Sequence, residues 1–327
     1  MMQENSETSI DTIQGFHLVK SGIRGRVVRL GPELHKIIDR HGYPPDVASL
    51  LAETLALTAV LGYALKYEGV FSLQTKGDGP VSMIVADLGR DGAMRGYAQY
   101  DAEKLKYAGV RSALLIGKGH LAFTVDPGGG VQRYQGIVDL IGRDMAACVQ
   151  NYFRQSEQLD TAFRIHTAQN DAGVWHSAAM MIQRIPDGGG YAANNNEAGG
   201  PSVSEERAED WRRSTILMGT TTDSEMLDAS LPLPQLLTRL FHEEQLELGE
   251  SYALKDQCRC SRGRVAMVLS TLPSSELHDM MVDDKVEVTC EFCSSSYEFD
   301  KEQLEKLAAG PGITSSVKDS GKDSAKE

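Results

Sequence analysis

Hydrophobic residues alternate with polar residues or glycine in the first part of the chain, which is the period of a β-strand. Residues 14–29 show this alternation, and short apolar runs bounded by glycine-rich turns follow between residues 70 and 140. Two further runs of this kind cover residues 161–167 and 173–184. Because turn signals such as Asp91-Gly92 separate the runs, the pattern predicts an antiparallel sheet.

A period of 3.6 residues replaces the alternation in several segments, which predicts helices. The predicted helices cover residues 46–65, 144–153, 204–218 and 232–248. The last has an apolar stripe at the spacing i, i+3, i+4, i+7 and i+8, formed by Leu233, Leu236, Leu237, Leu240 and Phe241. The two final helices form a segment too small to fold alone, so either the sheet of the first domain or a partner must cover their apolar faces.

Two segments have a composition that does not form a packed core. One is rich in glycine and asparagine and the other in serine, lysine and aspartate. We predict an α+β protein with an N-terminal antiparallel-sheet domain with packed helices, a helical middle linker and a small C-terminal domain that contains four cysteines. The predicted parts are an α+β core at 13–186, a flexible insertion at 187–202, a helical linker at 203–250, a cysteine domain at 251–309 and a disordered tail at 310–327.

Four of the five cysteines form two close pairs, Cys258-Arg259-Cys260 and Cys290-Glu291-Phe292-Cys293, about thirty residues apart. Two such pairs supply the four thiolates of a closed tetrahedral zinc site. We therefore predict that Cys258, Cys260, Cys290 and Cys293 bind one Zn²⁺ per chain. Four protein ligands leave no open position for a substrate, so the predicted site is not catalytic. The fifth cysteine, Cys148, lies among small apolar residues and is given no chemical role.

Structural disulfides and chance clustering are the alternatives to a zinc site. Disulfides alone fit poorly, because residues 1–12 are polar and acidic and do not resemble a signal peptide. We therefore expect a cytoplasmic chain with reduced thiols. The spacing leaves open whether the zinc is also a switch, because cysteines this close can oxidise with their own neighbours.

Loss of the metal should unfold the predicted cysteine domain, because about sixty residues bury only a small core. Zinc contributes about 10 to 16 kcal/mol to the folding of small sites. This is comparable with the stability of about 5 to 15 kcal/mol that is typical of a whole domain.

Charge and motif content exclude several classes of function. The net charge is −13 and the pI is about 5.1, so counterion release does not favour nucleic acid as a partner. No run approaches the length of a membrane span, so we expect no membrane partner.

The glycines around Gly117-Lys118-Gly119 do not fit a phosphate loop. Neither an H-E-x-x-H nor a G-x-S-x-G motif is present, and we predict a protein that is not an enzyme.

The cysteine segment, followed by Tyr297 and Phe299, resembles the redox-switch domain of the thirty-three-kilodalton bacterial heat-shock chaperonin family. Other segments resemble the N-terminal and linker signatures of that family, in its order, over roughly residues 13 to 308. These segments are Lys76-Gly77-Asp78-Gly79-Pro80, Arg95-Gly96-Tyr97, Tyr134-Gln135-Gly136-Ile137-Val138, Tyr152-Phe153, Gln155-Ser156-Glu157-Gln158 and Leu240-Phe241-His242-Glu243. The insertion at 187–202, the tail after Gly310 and Gly263 in place of an acidic residue depart from the family pattern.

The resemblance implies a cytoplasmic, ATP-independent holdase that is inactive while reduced and zinc-bound. On oxidation, members of the family release zinc and form disulfides, which here would be Cys258–Cys260 and Cys290–Cys293. They also unfold the C-terminal domain and the linker, form homodimers and hold unfolding client proteins. Two other functions remain open, a thiol-disulfide oxidoreductase that uses Cys290 and Cys293, and a constitutive zinc-ribbon binding protein.

Overall fold

The computed structural model describes residues 10–64, 69–107, 115–185 and 203–308. The chain divides into two compact units, Met1–Cys258 and Arg259–Glu327. The predicted insertion at 187–202 and the predicted tail at 310–327 lie outside the described residues.

The first unit contains a five-stranded antiparallel sheet. Its strand order is β10-β1-β2-β9-β8. The strands are β1 (Thr12–Leu18), β2 (Ile23–Leu30), β8 (Thr161–Gln169), β9 (Trp175–Arg184) and β10 (Leu246–Ala253). The apolar alternation predicted strands at β1, β2, β8 and β9, because alternate residues of each strand face opposite sides. The edge strand β10 was not predicted.

A second sheet of six strands completes the layers of the first unit, in the order β11-β5-β4-β3-β6-β7. The short β11 pairs parallel with β5, and the other neighbours are antiparallel. The strands are β3 (Val70–Gly77), β4 (Val81–Gly89), β5 (Ala93–Tyr100), β6 (Gly119–Asp126), β7 (Tyr134–Asp139) and β11 (Lys255–Asp256).

One long helix lies in the main hydrophobic core, which it shares with residues of both sheets. This helix is α2 (Pro45–Gly62), and its buried leucines and valines share a single hydrophobic cluster with both sheets. Within the described residues it is the helix with the length and composition of a membrane span, but 78% of that window is buried, which is typical of a core helix. The remaining helices of this part are α1 (Pro32–Asp39), α3 (Ala102–Leu105) and α4 (Met145–Tyr152), with a π-helix at Phe153–Glu157.

A second core lies between the five-stranded sheet and three linker helices. These helices are α5 (Val203–Gly219), α6 (Asp223–Leu227) and α7 (Leu233–Phe241). The sheet of the first unit, rather than a partner, covers the predicted leucine stripe of α7. Phe241 stacks on Phe16 with ring centroids 5.6 Å apart. Gly25 permits this, because a Cβ at Gly25 would lie 2.1 Å from the Phe16 ring.

Polar contacts also hold the linker on the first unit. Arg29 is only 3% exposed, and it donates to the carbonyl oxygens of Met226 at 2.8 Å and Leu231 at 2.7 Å. Glu244 accepts a hydrogen bond from Arg213 at 2.6 Å and another from Ser21. These bonds satisfy backbone and carboxylate groups that would be costly to bury unpaired.

The linker is not helical to its end. The predicted helix 232–248 ends at Phe241, a 3-10 turn covers His242–Glu244, and β10 begins at Leu246. The backbone turns at Gln245, whose φ of 53° lies in the left-handed region. After this turn the apolar period changes to two, because Leu246 and Leu248 alternate with glutamate and glycine, and the segment pairs with β1.

The second unit is small. Its elements are α8 (Arg262–Leu269), α9 (Ser274–Asp279), β12 (Lys285–Thr289), β13 (Ser296–Asp300) and α10 (Lys301–Ala308). Its buried cluster consists of Leu269, Leu277, Val286, Phe299 and Leu304. The strands β12 and β13 form a hairpin, and β13 was not predicted. The predicted α+β class, with antiparallel sheets, packed helices and four clustered C-terminal cysteines, is confirmed.

Replacing Phe241 with alanine should detach the linker from the sheet. Removing a buried phenylalanine costs about 3 to 5 kcal/mol, and Phe241 is fully buried against Phe16. Unfolding in urea can be followed by the fluorescence of Trp211, which packs against the second core, in a Trp175→Phe background. The matched control is Ile216→Ala, because Ile216 is 56% exposed on α5. An unchanged urea midpoint for Phe241→Ala would contradict this packing.

Candidate metal centre

The four cysteines of the predicted site lie on short loops beside regular elements. Cys258 follows β11, and Cys260 precedes Ser261, the N-cap of α8. Cys290 and Cys293 lie in the turn between β12 and β13. The Cys290 N–H donates to the Ser295 carbonyl at 2.9 Å and the Ser294 N–H donates to the Cys290 carbonyl at 2.8 Å. These two bonds close the turn and bring its two thiols to the same side.

The structure brings all four sulfur atoms together. They lie within 4.8 Å of one another, and each cysteine is half-buried and free of a disulfide. The Sγ atoms of Cys260 and Cys293 are 3.2 Å apart. Tetrahedral zinc with Zn–S bonds of about 2.3 Å requires sulfur atoms about 3.8 Å apart. The donor set therefore fits one soft metal ion held by four thiolates.

Among the described contacts, side chains of Tyr297 and Arg95 donate to these sulfurs. The Tyr297 hydroxyl lies 3.1 Å from Cys260 Sγ. The hydrogen bond to Cys260, followed by burial and the charges of the cysteines, raises the pKa of Tyr297, so this hydroxyl keeps its proton. Arg95 Nη1 lies 3.7 Å from Cys258 Sγ. Both donors can stabilise thiolate charge.

Arg95 is held in place by its own partner on the six-stranded sheet. Its Nε donates to Asp87 at 2.8 Å, and Asp87 also accepts from Ser72 at 2.5 Å. Burial alone would lower the pKa of Arg95, but Asp87 and then Cys258 raise it. Sequence reasoning placed Arg95 and Tyr297 only in a family resemblance, because the contacts join residues far apart in the chain.

The remaining cysteine and the nearby arginines make other contacts. Cys148 is 4% exposed, and burial raises the pKa of its thiol to about 11, which leaves it protonated and a poor nucleophile. Arg262 donates to Gln303 at 2.7 Å and lies over the Phe299 ring. Arg264 donates to the Arg259 carbonyl oxygen.

The fold and the four-thiol site define a class of protein: an α+β body with a small C-terminal part organised around sulfur ligands. A family model described as Hsp33 protein matches residues 11–300. The chain therefore belongs to the Hsp33 family, whose members are heat-shock chaperones.

Individual relatives agree with this assignment. The chain is 35% identical to the 33 kDa chaperonin of Caulobacter vibrioides (strain NA1000 / CB15N) over 299 residues, which cover 89% of this chain and 95% of that protein. It is 35% identical to the 33 kDa chaperonin of Ectopseudomonas mendocina over 304 residues, or 92% and 96% of the two chains. The crystal structure of the 33 kDa chaperonin (heat shock protein 33 homolog) of Thermotoga maritima has a TM-score of 0.73, 23% identity and coverage of 91% and 98%. At that identity the structural likeness shows the fold alone.

Replacing Tyr297 with phenylalanine should weaken metal binding without removing a ligand. Loss of a hydrogen bond to a ligand atom typically lowers metal affinity about 10- to 100-fold. The measurement is a titration of the reduced protein with Co²⁺, whose thiolate absorption reports four-sulfur coordination, followed by displacement with a chelator. Tyr107→Phe is the control, because Tyr107 is 88% exposed. Equal affinities for the two variants would show that the Tyr297 hydroxyl does not support the site.

Proposed function

We propose that this chain is a redox-regulated, ATP-independent holdase of the bacterial cytoplasm. In the reduced state Cys258, Cys260, Cys290 and Cys293 bind one Zn²⁺ and the protein is inactive. Oxidation releases the metal, unfolds the second unit and loosens the linker, and the oxidised chain forms a homodimer that holds unfolding proteins. The observation that carries this proposal is the convergence of four thiol sulfurs within 4.8 Å of one another.

The size of the second unit supports a switch rather than a passive site. Its hydrophobic cluster contains only five buried residues, which is too few to hold about fifty described residues without a cross-link. A bound Zn²⁺ would keep the cysteines as thiolates and tie the loop before α8 to the β12–β13 turn. When the sulfurs stop serving as ligands, the folding free energy supplied by coordination, about 10 to 16 kcal/mol, is lost.

Oxidation removes two electrons from each pair of sulfurs that forms a disulfide. As an S–S bond forms, two thiolates lose two electrons, and one hydrogen peroxide with two protons takes them up to give two waters. The pairing Cys258–Cys260 and Cys290–Cys293 follows the family resemblance. The 3.2 Å approach of Cys260 and Cys293 joins sulfurs of different pairs, as a shared metal requires, and does not select the oxidised pairing.

The second core supports a hidden client surface. Linker helices α5 to α7 bury an apolar face of the five-stranded sheet that includes Phe16, Ile23 and Val27. Detachment of the linker would expose this face and the leucine stripe of α7 together. Large exposed apolar patches are typical of surfaces that bind other proteins.

The oxidoreductase alternative loses support from the position of the C-x-x-C pair. A reactive pair of that kind gains its low thiol pKa at the N-terminus of a helix. Cys290 and Cys293 instead lie in a hairpin turn. The constitutive zinc-ribbon alternative predicts client binding that is the same before and after oxidation.

Hydrogen peroxide with mild heat should release about one zinc per chain and suppress aggregation of an unfolding client, because the sulfurs lose their metal and the second core opens. Aggregation is followed by light scattering, and zinc by a colorimetric chelator in the same tube. The protein kept in reductant should do neither. Cys148→Ala should behave as the unmodified chain does, because Cys148 lies outside the site.

The variant Cys293→Ser tests the effect of metal loss without oxidation. It should lose most metal binding and leave the second unit unfolded even in reductant, since one of the four sulfurs is gone. Full zinc occupancy in Cys293→Ser, or equal suppression of aggregation by the unmodified chain in reductant and in peroxide, would contradict the proposed switch.

A further inference from the structure

Two arginines and a histidine lie side by side on one face of the five-stranded sheet. Arg24 and Arg26 are two residues apart on β2, so their side chains share a face. His17 of β1 is the register partner of Arg24 and lies on the same face. Val28 continues this face into the main core, so the cationic residues lie on the side opposite the linker helices.

Arg26 lacks a counter-charge in the described part of the chain. Among the residues that the structure describes, its guanidinium makes no hydrogen bond or ion pair, and its Nη1 atom is buried without an acceptor. Burial, and then the charge of Arg24, lowers the pKa of Arg26 to about 10. No described carboxylate offsets this effect.

Arg24 is fixed in place by neutral groups. Its Nε donates to the Gln183 side-chain oxygen at 2.9 Å, and Gln183 in turn donates to Thr161 at 3.0 Å. Gln183 is 2% exposed. The hydrogen bonds through Gln183 and Thr161 position the guanidinium of Arg24 without neutralising its charge. Burial lowers the pKa of Arg24 as well.

Several other arginines of the same unit have an acidic group beside them, and for Arg29, which is 3% exposed, the charge of Asp228 opposes the effect of burial on its pKa. Arg184 of β9 pairs with Asp160, and Arg213 pairs with Glu244 and Asp210. A desolvated charge without a counter-charge is unfavourable in a folded protein. Two such charges beside each other therefore indicate that a ligand supplies the missing negative charge.

The strand β1 beside Arg26 places no side chain next to it. Its register partner on β1 is Gly15, which has no side chain. A Cβ at Gly15 would meet only the Glu250 carbonyl oxygen, at 3.8 Å. Glu247, the register partner of His17 on β10, is exposed and forms no ion pair with either arginine in the described chain.

Two neighbouring guanidinium groups carry more positive charge than one carboxylate neutralises. Arg26 offers a complete guanidinium fork, and the buried Nε2 of His17 has no partner within the described residues. A tetrahedral dianion accepts hydrogen bonds in several directions and matches two guanidinium charges. We propose that Arg24, Arg26 and His17 form a binding site for an oxyanion of the phosphate class.

The test is equilibrium dialysis of inorganic phosphate against the reduced, metal-loaded full chain at constant ionic strength. We expect saturable binding of one phosphate per chain, and affinity about 10- to 100-fold lower in Arg26→Gln, since a charge-assisted hydrogen bond contributes about 1.5 to 3 kcal/mol. Arg184→Gln is the matched control, because it removes the same charge from the neighbouring strand of the sheet and should bind phosphate as the unmodified chain does.

Thermal unfolding gives a second readout that distinguishes a site from a general salt effect. Phosphate stabilises most proteins by exclusion from their surface, with no saturation, whereas a bound ligand gives a saturable rise in Tm. Arg26→Gln should have a higher Tm than the unmodified chain in chloride, because it removes a repelled charge, and should lose the saturable rise. Binding that is equal in Arg26→Gln, or no saturable binding to the unmodified chain, would overturn the proposal.

Arg26→Glu is the second variant if Arg26→Gln does not fold. A carboxylate beside Arg24 supplies the missing counter-charge within the protein, so this variant should fold and not bind phosphate. Competition with a phosphate monoester such as AMP identifies the source. Displacement by AMP indicates the phosphate group of a larger molecule, whereas displacement by inorganic phosphate alone indicates the free ion.

Discussion

The convergence of four cysteine thiols is the constraint around which the second unit is organised. Its hydrophobic cluster is small, so packing alone provides little of the free energy needed to order the loops that carry the cysteines. The four sulfurs converge from two loops that are distant in sequence. A metal held there acts as a cross-link, and its removal withdraws a contribution comparable with the stability of a typical domain.

The first unit has the opposite character. Its main core joins two sheets through α2 and does not involve the cysteine site. The linker forms a second core on the outer face of one sheet, where Phe241 stacks on Phe16. A stable body with a separately packed apolar cover suits the proposed function, in which an apolar surface stays buried until the linker detaches. The proposed oxyanion site lies on the other face of that same sheet, so the two faces serve different purposes.

Much of this arrangement could be predicted from local patterns. The cysteine spacing predicted the convergence of four thiols, and the alternation of apolar residues predicted the antiparallel strands. The end of α7 was harder to predict, because Leu246 and Leu248 fit both a helical stripe and an alternating strand, and pairing with β1 decides between them. Long-range contacts left no local signal. The approach of Arg95 to Cys258 depends on which strands become neighbours, and so does the lack of a described carboxylate partner for Arg26.

Hydrogen exchange measured by mass spectrometry tests the central claim most directly. The reduced metal-loaded chain is compared with the same chain after chelation in reductant, so that the metal is removed while the thiols remain. We expect amides of β12, β13 and α8 to lose protection, followed by those of α7 in the oxidised chain, while β2 and β9 remain protected. Unchanged protection of β12 and β13 after complete removal of the metal would contradict the claim that sulfur coordination holds the second unit folded.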